Sequence, residues 1–342
     1  MCVPSPTPRR KRATVHEVAS EAGVSRGTVS RAINGDRYVS AEARKAIDAA
    51  IIKTGYVPNL AARSLVMQRS QAIGLLVHEP HSMFVEDPNI GDILLGANRE
   101  LSKAGYLMTM LVVDSEGDTA PIERYLSGGV VDGVIVISAR RDDPLTAVIR
   151  RLGLPAAFVG HPPDIEGMSF VGIDNHKAAE AITLRLIGTG RKRVGMIAAA
   201  LDRDSGADRL AGFTAALGDD FDPTLVSAVD LYSYSEGVRG MRALLQREPN
   251  IDGVFAASDS LAAGALDVLR EAGYRVPEDV GIVGFDNSDW ATRCDPPLST
   301  VDQPAAGLGT SAARSVLNQL DGVGPEPGGI YLDTPIIWRD SA

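Results

Sequence analysis

The segment SRGTVSRAIN, residues 25–34, carries two arginines, three hydroxyl residues and a glycine within ten positions. Read as a helix that starts after Ser25, it turns Val29, Ala32 and Ile33 inward and leaves Arg26, Gly27, Ser30 and Arg31 outward. A guanidinium pairs in bidentate fashion with a guanine edge, and each good pair discriminates by about 1–3 kcal/mol. Hydroxyls such as those of Ser25, Thr28 and Ser30, and the amides of a helix N-terminus, suit phosphate oxygens, which set register and carry no sequence information. Gly27 weakens the helix but lets the backbone come close to a base. The chemistry implied is contact with a nucleic acid. A small helical bundle with a solvated polar face has the same spacing.

The flanking elements must hold that helix in place. TVHEVASEAG reads as a preceding helix, with Thr14 as N-cap, Glu17 at the capping-box distance, and Val15, Val18, Ala19 and Ala22 on one face. Gly23 permits the turn that follows, Ser25 caps the second helix, and Asn34-Gly35 closes it. Ser40 caps a third, whose Ala43, Ala46, Ile47 and Ala50 form an apolar stripe ending at Gly55. Three helices with a tight turn between the first two make a helix-turn-helix, whose second helix enters the major groove. Charge supports this. Residues 1–70 hold 12 Lys and Arg against 5 Asp and Glu, whereas the rest of the chain holds 22 against 39. A basic head on an acidic body means that only the head faces a polyanion, although RRKR near the N-terminus supplies four of its charges as a solvated tail would. After Pro58, Asn59 can cap a helix, LAARSL, too short to be stable alone in water. It carries Ala62, Arg63 and Leu65, a composition that suits a linker and also a segment ordered on DNA with an apolar wedge for the minor groove.

From Gln71 the pattern changes. AIGLLV, LMTMLVV, GVIVIS and PAAFVG alternate with helical stretches, and the alternation restarts with RVGMIAA, LVSAVDLY, GVFAAS and VGIVGF. Two successive halves of this kind predict two α/β lobes built on parallel sheets, with a ligand cleft at the strand C-termini. Enzyme signatures are lacking. GTGRKR has Arg193 where a dinucleotide loop needs its third glycine, and it follows a helix. His16, His78, His81, His161 and His176 show no metal-ligand spacing, and Cys2 and Cys294 form no C-x-x-C pair. The expectation is therefore no catalysis, no metal and no cofactor. No apolar run approaches the length of a membrane span, and no secretory signal follows the basic N-terminus, so the expected location is the cytoplasm, at the nucleoid.

The order VAxxAGVSxxTVSRxxN, then VSxxxRxxI, then GYxPNxxARSL resembles the head and hinge of the lactose-repressor (LacI/GalR) family of bacterial transcription regulators. ADRLAGF, AASDSLAAGAL, VPEDVGIVGFDN and PPLSTVDQP extend the likeness over a periplasmic-binding-protein-like core. The resemblance implies an all-α helix-turn-helix head (1–58), a hinge (59–70) and a two-lobed α/β core (71–342). The expected first lobe is about 71–160 with 292–322, and the second about 161–291 with 323–342. It implies base-reading positions at Arg26, Gly27 and Arg31, and Leu65 inserted at the centre of a palindromic operator. Thr14, Ser25, Thr28, Ser30, Asn34, Asn59, Ala62 and Arg63 complete the expected DNA-facing set.

In the core, the resemblance implies that Arg209 and Asp286 contact an effector, and that Ser258 and Gln303 line the cleft. Arg209 and Asp286 offer charge-assisted hydrogen bonds in opposite senses, which a vicinal diol satisfies; a structural ion pair is the plainer alternative. Trp290 offers a flat face to a sugar ring, or simple packing. The stretch HEPHSMFVEDPNIG is longer and more acidic than the short turn of many relatives, which puts Glu79, Phe84, Glu86 and Asp87 near the cleft mouth. Gly160 and His161 stand where some relatives carry a sugar contact. The sum is an operator-binding homodimer, a repressor, controlled by a small carbohydrate effector. A sugar-transport component would need an export signal and no such head; an α/β sugar-acting enzyme or a purine-type corepressor function are the other readings.

Overall fold

The computed structural model describes residues 13–33, 38–56, 69–163, 165–324 and 329–342. They fall into two compact units that divide after Ser70.

The first unit holds α1 (Val15–Ala22), α2 (Arg26–Ile33) and α3 (Ala41–Thr54). Thr14 and Glu17 form the reciprocal capping box, and Gly23 ends α1 in the left-handed region with φ 65°. The Thr28 amide donates to Ser25 Oγ at 3.1 Å, so Ser25 satisfies one of the open donors of α2. Val18, Ala19, Val29, Ala32, Val39, Ile47 and Ala50 are the buried core, gathered from all three helices and the stretch before α3. A core this small needs each of those faces, which is why the helical spacing was informative.

The second unit begins with a lobe that runs β1 (Ala72–Val77), α4 (Met83–Glu86), α5 (Pro88–Lys103), β2 (Leu107–Val112), α6 (Thr119–Ser127), β3 (Gly133–Ile137), α7 (Pro144–Leu152), β4 (Ala156–Val159) and β5 (Ser169–Ile173). A second lobe follows with α8 (Asn175–Ile187), β6 (Val194–Ala199), α9 (Asp204–Leu217), β7 (Val226–Val229), α10 (Tyr234–Arg247), β8 (Gly253–Ala256), α11 (Asp259–Glu271), β9 (Gly281–Val283), α12 (Asp289–Arg293) and β10 (Thr300–Val301). The chain returns for α13 (Ala305–Leu320) and β11 (Ile330–Leu332), then crosses back for β12 (Ile336–Ile337). The first sheet has the order β11-β5-β4-β3-β1-β2, and the second β7-β6-β8-β9. Both are parallel throughout, and β12 pairs antiparallel with β10. Helices cover both faces of a parallel sheet, so its strands read as continuous apolar runs. In β1, Ile73, Leu75 and Val77 pack into one core and Leu76 into the other.

The lobe boundaries differ from those expected. The first crossing comes after β5, not at residue 160, and β11 belongs to the first sheet. The reason is local. The connection from β4 to β5 contains no helix, so SFVGI does not stand out as one more strand of an alternating series. Likewise α12 and β10 stay with the second lobe, because β10 lies between β12 and the turn after β9. Three segments therefore join the lobes, near residues 174, 302–304 and 333–335. Among the described residues no helix is long and apolar enough to cross a membrane.

Helices α5 and α13 pack at glycines. A Cβ on Gly309 would stand 2.0 Å from the Ile93 carbonyl oxygen, and one on Gly96 would stand 2.1 Å from that of Ala306. Neither neighbour is a side chain that could swing away. Gly309→Ala should therefore lower the stability of the 71–342 unit by about 3 kcal/mol, the upper range for overpacking, read as a fall of several degrees in melting temperature.

Candidate functional site

Two sets of side chains carry chemistry, one in each unit. In the head, α2 presents Arg26, Gly27, Ser30 and Arg31 to solvent, with Thr28 half-buried beside Ser25. Among the described residues neither Arg26 nor Arg31 has a hydrogen-bond or ion-pair partner. Two uncommitted guanidiniums on one exposed helix are suited to an external anion. Gly27 has no internal reason to be glycine, since a Cβ there would meet only Ser25 Oγ at 3.7 Å. Thr14 is occupied in the capping box. Asn34, Asn59, Ala62, Arg63 and Leu65, with most of the expected hinge, lie outside the described residues.

In the second unit, the two sheets meet at their strand C-termini around a cavity of about 100 Å³ lined from both lobes. Its centre is Arg209 on α9, 4% exposed. The guanidinium donates from Nε to Asn175 Oδ1 at 2.9 Å, from Nη1 to the Ala257 carbonyl, and from Nη2 to Gln303 Oε1 at 3.0 Å. It also lies 3.6 Å from the Phe285 ring centroid, a cation–π contact. Asp286 Oδ1 stands 3.5 Å from Nη2, an ion-pair distance, yet has no hydrogen-bond partner. Asp286 holds a φ of 108°, a strained value for a residue with a side chain, kept by its amide donating to the Val301 carbonyl.

Glu79, at the end of β1, pairs with Arg203 at the start of α9, and both are buried. Glu79 Oε2 and Arg203 Nε make no hydrogen bond, and Arg203 Nε stands 3.7 Å from the Asp202 carboxylate. Buried polar atoms are nearly always satisfied, so three such atoms around one cavity mark the places where a ligand's polar groups belong. Burial pushes the Asp286 carboxyl well above its ordinary range, against the pull of Arg209, with Asp259 and Asp87 adding to the rise. Burial lifts Asp87, which caps α5, to about 6, and Glu79 adds to that rise. A cavity with donors and acceptors in both senses and carboxyls near neutrality suits an uncharged, hydroxyl-rich molecule.

Of the expected cleft residues, Glu79, Asp87, Gly160, Arg209, Asp286 and Gln303 line the cavity. Glu86 and the remaining four do not. Phe84 packs against the apolar core from the short helix α4. Ser258 is fully buried as the N-cap of α11, its hydroxyl accepting from the Leu261 amide. Trp290 stacks on Tyr234 at 5.9 Å between ring centroids. The His161 ring turns to Asp208. In each case a nearer partner satisfied the side chain. Sequence reasoning missed Asn89, Asn175, Arg203, Ser205 and Tyr232, which also line the cavity. Their only signal was position at a strand end or a helix start, visible once β5 and α9 are placed.

The sequence profile described as "Bacterial regulatory proteins, lacI family" matches residues 14–59, and that of a "Periplasmic binding protein-like domain" matches residues 183–342. The HTH-type transcriptional regulator CelR of Thermobifida fusca is 41% identical over 97% of this chain and 99% of its own. This chain belongs to the LacI family. A solved structure, a transcriptional regulator CelR–cellobiose complex, matches with a TM-score of 0.77 at 40% identity, over 97% of this chain and all of that one. A Lac repressor dimer bound to operator and the anti-inducer ONPF matches with a TM-score of 0.85 at 24% identity over 97% and 99% of the two chains, a likeness of fold. The protein is thus a LacI-family transcriptional regulator, with a DNA-binding helix-turn-helix head and a periplasmic-binding-protein-like core.

Gly27 lowers the stability of α2, and its packing gives no reason for it. Gly27→Ala should stabilise α2 by up to about 1 kcal/mol, seen as an upward shift of the head's unfolding transition in the full chain. The same change should weaken binding to a duplex selected by this protein at least tenfold in fluorescence anisotropy.

Proposed function

We propose that this chain is a repressor that binds a palindromic operator as a homodimer in the cytoplasm and is controlled by a neutral saccharide bound between the lobes. The observation that carries the effector reading is the cavity itself. It presents Asp286 Oδ1, Glu79 Oε2 and Arg203 Nε without a hydrogen bond, next to the Arg209 guanidinium. Hydroxyl groups both donate and accept, so one sugar ring answers all of them. The cellobiose held by the CelR structure supports the same class of ligand. Arg209, Asp286, Glu79, Asp87 and Gln303 are the proposed effector contacts, with Arg203 and Asn175 added from the geometry.

The head reads DNA through Arg26, Gly27 and Arg31, with Ser25, Thr28 and Ser30 on phosphates. Two-fold pairing of chains suits a palindrome, since each head then meets an equivalent half-site. The outermost strand of the first sheet, β2, supports pairing: it leaves Leu107 67% and Met110 47% exposed on an open edge. The effector acts by binding two states of the dimer unequally, and the coupling equals that difference in affinity.

The test joins ligand and operator binding. Cellobiose should raise the melting temperature of the 71–342 unit, with a shift that grows as the logarithm of its concentration above Kd, and should change operator affinity. Asp286→Asn, nearly isosteric, should abolish both responses while leaving operator affinity within about threefold of wild type. Arg209→Ala should do the same with an added loss of stability of about 3–5 kcal/mol. A cellobiose response that survives both substitutions would remove the cleft from the proposal.

A further inference from the structure

The contacts between the lobes gather on one stretch of the second, residues 202–209. The Arg141 amide donates to the Asp202 carbonyl at 3.0 Å, and Arg140 lies 3.5 Å from the Asp202 carboxylate. Glu79 pairs with Arg203. The His161 amide donates to Asp204 Oδ2 at 2.6 Å, and His161 Nε2 stands 3.0 Å from Asp208 Oδ2. His161 follows β4 of the first lobe, whereas Asp204 and Asp208 lie on the first turns of α9 in the second. The fit is tight. Gly160 has a φ of 99°, and a Cβ there would stand 2.7 Å from Asp204 Oδ2, so the backbone of 160–161 rests directly on that carboxylate.

The two sides of the imidazole differ in kind. From the second lobe it faces Asp204 and Asp208. From the first, among the described residues, it faces rings, Phe170 of β5 at 5.9 Å and Tyr331 of β11 at 6.2 Å. Near Tyr331, Asp174 and Lys177 pair with each other at 2.9 Å, and burial keeps the Tyr331 hydroxyl protonated. Parting the lobes takes both carboxylates from the imidazole and leaves its uncharged neighbours in place.

We propose that His161 is a proton-linked latch between the lobes, which hold together on Asp204 and Asp208 while the imidazole is protonated and part more readily once that proton is lost. The hydrogen bond to Asp208 raises the imidazole from its ordinary 6.5 to about 9 in the closed arrangement. A pKa raised by closure stabilises the closed form fully below the ordinary value and loses that contribution as pH rises through about 9. The consequence for the effector rests on the cleft reading above: a ligand that prefers closed lobes binds with uptake of a proton and loses affinity from pH 6.5 to 9. The buried carboxyls Asp87, Asp204, Asp259 and Asp286 also sit above their ordinary range. The mark of the latch is therefore the part of the pH dependence that disappears with His161→Gln.

Two measurements on the full chain decide it. In an NMR titration of the histidine rings, with His161 assigned through His161→Gln, the His161 ring should titrate above pH 8 and fall towards 6.5 in Asp208→Asn. By calorimetry in buffers of differing ionisation enthalpy, cellobiose should bind about threefold more weakly at pH 9 than at pH 6, with a fraction of a proton taken up, and that share should be absent from His161→Gln. A His161 ring that titrates near 6.5 in the wild type overturns the latch, and so do identical pH profiles of wild type and His161→Gln. If cellobiose fails to bind while His161 titrates above 8 and Asp208→Asn lowers it, the effector reading fails and the latch stands.

Discussion

A guanidinium that cannot lose its proton, buried between two sheets, must find acceptors wherever the chain can bring them. Arg209 sets that demand for the whole core. Its partners are Asn175 at the first crossing between the lobes, Gln303 at the second, and the Ala257 carbonyl at the end of β8. Asp286, at ion-pair distance from it, sits in a strained turn beside the second crossing. Two of the three connections that allow the lobes to move are thus tied to one side chain. That side chain also lines the cavity where a ligand would enter, so a ligand that competes for its acceptors acts on the connections directly.

The second lobe meets the first through the same helix. Asp202 and Arg203 lead into α9, which starts at Asp204; Asp208 lies one turn on, and Arg209 follows it. Inter-lobe ion pairs and the central guanidinium therefore share one rigid element. Any movement of α9 would carry the two together. Burial lifts Asp87 to about 6 and Asp259 to about 7. In a chain whose core is strongly acidic, such burial also limits self-repulsion where carboxyls crowd.

Much of this was legible residue by residue. The capping box at Thr14 and Glu17, the turn at Gly23 and the apolar spacing of α1 to α3 all depend on neighbours within a few positions, and the structure has them as read. Arg209, Asp286 and Gln303 were found through a family motif, not through periodicity. Phe84, Ser258 and His161 were assigned to the cleft by position in the family and Trp290 by its chemistry, yet each is committed elsewhere: to the core, a helix cap, an Asp208 pair and a Tyr234 stack. A residue type states what a side chain is able to bind and not which partner lies nearest.

The sequence by itself determined the basic head, the helix-turn-helix, the alternation of strands and helices and the family, because these follow from local spacing, composition and short ordered motifs. Only the tertiary structure decided where the lobes divide, since β5 and β11 join the first sheet by pairing with strands distant in sequence or linked without a helix. It also decided that Glu79 meets Arg203 and His161 meets Asp208, pairs separated by 124 and 47 positions. Such contacts are set by the packing of two sheets around one buried charge, and no short-range pattern along the chain encodes them.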